Sequence, residues 1–163
     1  ILTEELVKRV GPPEANATRR AGKVVAVELD EKLFKYLESR FQDVQNLELV
    51  RGDILEVIRE EEFFDRFIDR TPPSPLARQH LPLRGRRYKV VANLPYQITS
   101  RILRLFLEAE NKPKEMVVMV QKEVGERICA SPGEMSVLAV MVQYYSKPEI
   151  VRVVDKSAFW PEP

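Results

Sequence analysis

Apolar and polar positions alternate along this chain in blocks whose spacings match strands and helices in turn. Short β-branched runs at 23–28, 47–50, 87–92 and 114–120 are each followed within two residues by Asp, Gly, Asn or Gln, and read as buried strands. A further alternating run, 149–154, predicts the last strand. Apolar residues spaced by three and four predict helices at 1–9, 31–41, 55–69, 98–109 and 122–130. On 98–109 the face is Ile98, Ile102, Leu105, Phe106 and Ala109. Asp30 reads as the N-cap of the second helix. Ser136 to Tyr145 is ambiguous: its β-branched content suits a strand, and its apolar run of ten residues suits a buried helix. Strands alternating with helices make this an α/β chain with a parallel sheet.

Chemistry-bearing residues gather at the strand ends. Asn93-Leu94-Pro95-Tyr96 follows the strand at 87–92. The Asn93 side chain and the Leu94 carbonyl can accept hydrogen bonds from an exocyclic amine on a nucleobase. Pro95 stiffens the turn, and the Tyr96 ring offers a stacking face. Such an amine is a poor nucleophile, because its lone pair is delocalised into the ring. Two acceptors favour a pyramidal, more nucleophilic nitrogen, and the proton can leave after transfer. A base reaching this turn must leave its stack, and stacking offsets part of that cost, about 1–3 kcal/mol per base. Glu28 ends the strand at 23–28, where an acid typically takes ribose hydroxyls in nucleotide-binding α/β folds. Asp53 follows the strand at 47–50 and suits an adenine amino group, with Ile54 against the ring. Three successive strand ends would then lie on the carboxyl edge of one sheet.

Composition sets outer bounds. At 163 residues the chain suits one domain. With 44% hydrophobic and 31% charged residues it has a soluble globular composition, and no apolar run approaches the roughly 20 residues of a membrane helix. The N-terminal residues carry no signal-peptide pattern. The single cysteine, Cys129, excludes an internal disulfide and multi-cysteine metal sites, and reads as a small buried residue on a helix. The one histidine, His80, lies in a Pro-rich stretch, and no metal site is expected. Met116, Met119, Met135 and Met141 are core candidates. Net charge of +1 is no global nucleic-acid footprint. Locally, Arg84, Arg86, Arg87 and Lys89 precede the tetrad strand, and Arg101 and Arg104 follow it. These suit either RNA phosphates or a solvated face.

The chain resembles the KsgA-type small-subunit ribosomal RNA adenine dimethyltransferases. The resemblance runs over the whole chain. It rests on Ile1 to Leu6, Val25 to Asp30, Gly52 to Leu55, Val90 to Ser100, Val120 to Ile128, Val142 to Tyr145 and Phe159 to Pro163. The blocks around the tetrad and around Gln121-Lys122-Glu123 carry the specificity. The resemblance implies a Rossmann-like S-adenosylmethionine-dependent methyltransferase fold, with a seven-stranded, mostly parallel sheet and helices on both faces. It implies a helix for 136–145. By position it implies cofactor binding by Glu28, Leu29, Asp53, Ile54 and Asn93, and catalysis at Asn93, Leu94, Pro95 and Tyr96. Tyr96 and Phe159 would stack on the flipped adenine. Implied partners are small-subunit ribosomal RNA and the pre-30S particle, met by a cytoplasmic monomer with no metal.

Against that pattern the first strand with its Gly-rich loop is absent from 1–163, as is the helical C-terminal domain, and 11–22 and 63–87 read as inserted loops. The expectation is a partial catalytic domain with little activity on its own. Two alternatives stand beside it: a large-subunit adenine dimethyltransferase of the macrolide-resistance type, and a non-catalytic RNA-binding assembly factor. If the basic cluster binds RNA, replacing Arg86 and Arg87 by Ala flattens the salt dependence of RNA affinity, by about 0.7–0.9 in slope for each phosphate no longer neutralised. An unchanged slope assigns the cluster to a solvated face.

Overall fold

The structure is a computed structural model that describes residues 2–11, 22–60, 63 and 88–160. It forms two compact units, Ile1–Thr71 and Pro72–Pro163, each built on a parallel strand pair. The expected inserted loops, His80, Arg84, Arg86 and Arg87 lie outside the described residues, apart from the flanking positions 11, 22 and 63.

In the first unit, α1 (Leu2–Val10), β1 (Val24–Glu28), α2 (Glu31–Arg40), β2 (Leu47–Arg51) and α3 (Ile54–Val57) follow one another. β1 and β2 pair in parallel from Val24 opposite Leu47 to Glu28 opposite Arg51. Parallel strands require a crossover, and α2 supplies it. Asp30 caps α2, its carboxylate accepting the Leu33 N–H at 2.8 Å. Val24, Leu37, Leu55, Val57 and Ile58 are the buried apolar residues of this unit.

Asn46 is buried and ties α1 to the strands. Its Nδ2 donates to the Gly11 carbonyl at 2.7 Å and the Val7 carbonyl at 3.3 Å, while its own carbonyl accepts the Val24 N–H at 2.8 Å. One residue thereby satisfies carbonyls at the end of α1 and starts the β1 ladder. Gly11 adopts φ +72°, the left-handed conformation common after a helix, and returns its N–H to Val7. Glu4 on α1 pairs with Lys8 at 3.0 Å and with Arg40 of α2 at 2.9 Å.

Of the expected helix at 55–69, the structure describes α3, which starts one residue early and closes at Val57, and Phe63, which is helical again; 61, 62 and 64–69 lie outside the described residues. Arg59 and Glu60 donate to the carbonyls of Glu56 and Val57, so the last turn tightens and the α pattern ends. Beyond position 60 only Phe63 is described before the second unit's β-strand region begins.

The second unit runs β3 (Lys89–Asn93), α4 (Thr99–Glu108), β4 (Glu115–Met119), α5 (Lys122–Ile128) and α6 (Val137–Tyr145). β3 and β4 are parallel, with Lys89 opposite Glu115 and Asn93 opposite Met119. Lys89 and Glu115 form an ion pair of 2.6 Å that holds the Glu115 carboxyl below its usual range. Leu103, Leu107, Ile128 and Val142 form the core of this unit, with Met116 and Met141 packed on it. The buried face of α4 is Thr99, Ile102, Leu103, Phe106 and Leu107, rotated from the expected one. Leu105 is only half-buried, and Met119 is exposed.

Residues 136–145 are helical: Ser136 caps α6 by accepting the Ala139 N–H at 3.2 Å. The expected strand at 149–154 does not form. Its alternation is present, but no neighbouring strand among the described residues offers a ladder, and Ile150, Val151, Val153 and Val154 stay exposed. Cys129 is half-buried at the C-cap of α5, not inside the helix.

Gly52 turns the chain after β2 with its N–H on the Glu28 carbonyl at 3.1 Å. A Cβ there would meet Val57 Cγ2 at 2.6 Å. That methyl belongs to a buried, rotationally stiff side chain, so Gly52→Ala should destabilise the fold by about 1–3 kcal/mol. A shift of the urea midpoint checks it. A second expectation concerns acid. Hydrogen bonds from Lys8 and then Arg40 bring the Glu4 carboxyl from 4.5 to about 2. A depressed carboxyl stabilises the fold fully above its unfolded pKa, and that contribution fades as pH falls through about 2. An NMR titration of the Glu4 carboxyl carbon should show the low midpoint, and Arg40→Ala should raise it.

Candidate functional site

In the first unit the candidate acids lie at the carboxyl ends of β1 and β2, brought side by side by the parallel register. Glu28 ends β1, and its Oε1 accepts the Asp30 N–H at 2.9 Å. This bond turns the carboxylate back over the strand end. Among the described residues its other oxygen has no hydrogen-bond partner. Arg51, directly opposite in register, pairs with Glu31 at 3.2 Å instead. Asp53 lies two residues beyond Arg51, and its Oδ1 caps α3 through the Leu55 N–H at 2.8 Å. Asp53 therefore keeps one oxygen for the helix and one for a donor from outside. Ile54 is half-buried beside it, and Leu29 is exposed.

In the second unit the tetrad lies at the carboxyl end of β3. Asn93 is the last strand residue, exposed, opposite Met119. The Leu94 side chain is buried, and its N–H donates to the Met119 carbonyl at 3.1 Å, pinning the turn to β4. Pro95 follows, and its carbonyl accepts from the Ile98 N–H at 3.1 Å and the Thr99 hydroxyl at 3.0 Å. Among the described residues neither the Asn93 side chain nor the Leu94 carbonyl has a hydrogen-bond partner. Two acceptors thus remain at one strand end among the described residues. Tyr96 is 65% exposed, so its ring face is open for stacking.

Phe159 follows a 3₁₀ turn, Lys156–Ala158, capped by Asp155. It is partly exposed and shares no ring contact with Tyr96 among the described residues. Glu28 and Asp53 belong to the first unit, and Asn93 to Tyr96 with Phe159 to the second. Arg101 and Arg104 are exposed on α4, and Arg104 is partly engaged with Glu108 at 3.4 Å. No group of three or more His, Cys, Asp or Glu among the described residues is placed to hold a metal. Among the described residues no helix is long and apolar enough to cross a membrane. An open apolar groove in the second unit is lined by Met135, Val137, Val140, Met141 and Tyr144, and includes no tetrad residue.

Sequence reasoning missed two supports of the tetrad turn, Thr99 and the Met119 carbonyl, and an amide at a helix end elsewhere in the unit, Gln143. Gln143 donates to the Ile128 and Ala130 carbonyls at 2.8 and 2.9 Å, closing the end of α5. A signal existed only for Thr99, which stands four residues after Pro95 in the first turn of a helix.

A family model described as ribosomal RNA adenine dimethylase matches residues 1–163. The chain is 43% identical over 163 residues to the ribosomal RNA small subunit methyltransferase A of Dehalococcoides mccartyi, covering all of this chain and 46% of that protein. It is 40% identical over 165 residues to the protein of the same name from Moorella thermoacetica, covering 98% of this chain and 54% of the other. Among solved structures it is similar to the 23S rRNA methyltransferase ErmE, with a TM-score of 0.64 and 27% identity, covering 100% of this chain and 52% of that one. The chain spans about half the length of the curated relatives it matches.

Proposed function

Because the chain belongs to the ribosomal RNA adenine dimethylase family, we propose that residues 1–163 are the catalytic part of a small-subunit ribosomal RNA adenine dimethyltransferase. The reading is S-adenosylmethionine-dependent dimethylation of N6 on two adjacent adenines near the 3′ end of that RNA. The substrate is the RNA within a pre-30S particle, and the setting is cytoplasmic. The observation that carries this reading is the pair of acceptors without a partner among the described residues, Asn93 Oδ1 and the Leu94 carbonyl, at the end of β3 beside the exposed Tyr96 ring.

The acidic residues fit the cofactor's nucleoside by the chemistry of their free oxygens. Glu28 offers an acceptor for ribose hydroxyls, Asp53 an acceptor for an adenine amine, and Ile54 an apolar flank, with Leu29 alongside. When bound, S-adenosylmethionine supplies an electrophilic methyl group on a sulfonium. The chain's own residues do the rest. In the first transfer Asn93 and the Leu94 carbonyl accept the two N6 hydrogens, orient the nitrogen lone pair and make it more nucleophilic; in the second, the one remaining hydrogen is accepted by one of them. Pro95 holds the turn, and Tyr96 and Phe159 stack on the extruded base. No side chain is needed as a base, because the proton leaves once the new N–C bond has formed.

The large-subunit alternative draws on the likeness to ErmE at 27% identity. Identity of 40% or more to proteins named for the small subunit weighs against it. With a form of the protein spanning the full length of its relatives, methyl incorporation into undermethylated 30S and 50S subunits separates the two. Labelling of the 30S subunit alone, at adjacent adenines, supports the proposal, 50S labelling supports the alternative, and none supports a binding factor. The cofactor half is tested on its own. Asn caps a helix as well as Asp, so Asp53→Asn keeps α3 and removes one charged acceptor. It should weaken S-adenosylmethionine binding about tenfold or more, the value of a hydrogen bond to a charged group, with unchanged circular dichroism. Unaltered affinity in calorimetry would remove Asp53 from the site.

A further inference from the structure

The tetrad turn contains two successive carbonyls, Leu94 and Pro95, and among the described residues only the Leu94 one is free. The Pro95 carbonyl takes two bonds, from the Ile98 N–H at 3.1 Å and from the Thr99 Oγ1 at 3.0 Å. A carbonyl oxygen has two lone pairs, so Pro95 is saturated. The Leu94 carbonyl accepts nothing among the described residues. Thr99 is 3% exposed and sits among the buried residues of α4, so no water competes readily for its hydroxyl. On the other side of the turn the Leu94 N–H is held by the Met119 carbonyl at 3.1 Å. The turn is thus clamped from β4 at its start and from α4 at its end.

We infer that Thr99 is a positioning residue for methyl transfer. Its hydroxyl holds the Pro95 carbonyl turned into α4, so that the Leu94 carbonyl is the backbone acceptor presented to the target amine. The inference rests on the reading of the tetrad given above. A threonine bonding the carbonyl four residues back is common in helices, where it only shapes the helix. Here the accepting carbonyl belongs to the turn that carries the chemistry, one residue after the acceptor in use. Loosening it lets the Leu94 peptide rotate, and a displacement of this kind costs turnover more than binding.

The test uses a form of the protein spanning the full length of its relatives. Thr99→Val keeps the shape and removes the hydroxyl, Thr99→Ser keeps the hydroxyl, and Thr99→Cys replaces it with a weak donor. The expected result is a fall in kcat of about tenfold or more for Thr99→Val, the scale of one misplaced catalytic group. The RNA KM and S-adenosylmethionine affinity stay within about twofold, since uniform binding is untouched. Thr99→Ser restores turnover and Thr99→Cys does not. If Thr99→Val fails to fold, the Ser and Cys pair decides the question. Folded Thr99→Val with parental kcat overturns the inference, as does Thr99→Ser losing as much as Thr99→Cys. A parent protein that methylates neither subunit overturns both this inference and the function it rests on. An active parent indifferent to Thr99→Val overturns this inference alone.

Discussion

Parallel pairing is the constraint on which this molecule depends. Two parallel strands cannot be joined by a tight turn, so each pair needs a helix to bring the chain back, and the two carboxyl ends of each pair collect on one edge. Glu28 and Asp53 become neighbours for this reason: they are far apart along the chain, yet Glu28 faces Arg51 across the ladder. Asn93 faces Met119 by the same logic, and that backbone neighbour then anchors the turn carrying Leu94. The candidate site residues thus gather at the carboxyl end of each strand pair.

Two buried or half-buried amides do parallel work in the two units. Asn46 closes α1 through the Val7 and Gly11 carbonyls, and Gln143 closes α5 through the Ile128 and Ala130 carbonyls. Helix ends leave carbonyls without intrahelical partners, and burial makes an unfilled one costly. A primary amide has two donors, so one side chain can serve two carbonyls at once. Among the described residues no buried side-chain nitrogen or oxygen lacks a partner. The ends of α1 and α5 are therefore fixed by hydrogen bonds of defined direction as well as by apolar packing.

Much of this was legible in the sequence. The α/β alternation, the Asp30 cap and the strand ends at Glu28 and Asn93 follow from local pattern, and a local pattern needs no partner to be read. The run at 149–154 has the same alternation as a strand and is not one, because a strand also requires a neighbour to pair with, and the sequence does not display its neighbours. The buried face of α4 lies to one side of the face that spacing predicts, since Leu103 and Leu107 are buried where Leu105 was expected. Asn46 and Gln143 were illegible for a different reason: an amide looks the same in sequence whether it faces solvent or ends a helix. Asp53 carries a capping duty that its reading as a ligand residue did not include.

The ladder direction also separates two kinds of freedom. The segments 12–21 and 64–87 enter β1 and β3 at their amino ends, while Glu28, Asp53 and the tetrad leave their strands at the carboxyl ends. Sequence length can therefore be gained or lost at the entry side without changing a single residue at the exit side. One added residue inside β1 or β3, by contrast, would turn every following side chain of the strand to the opposite face.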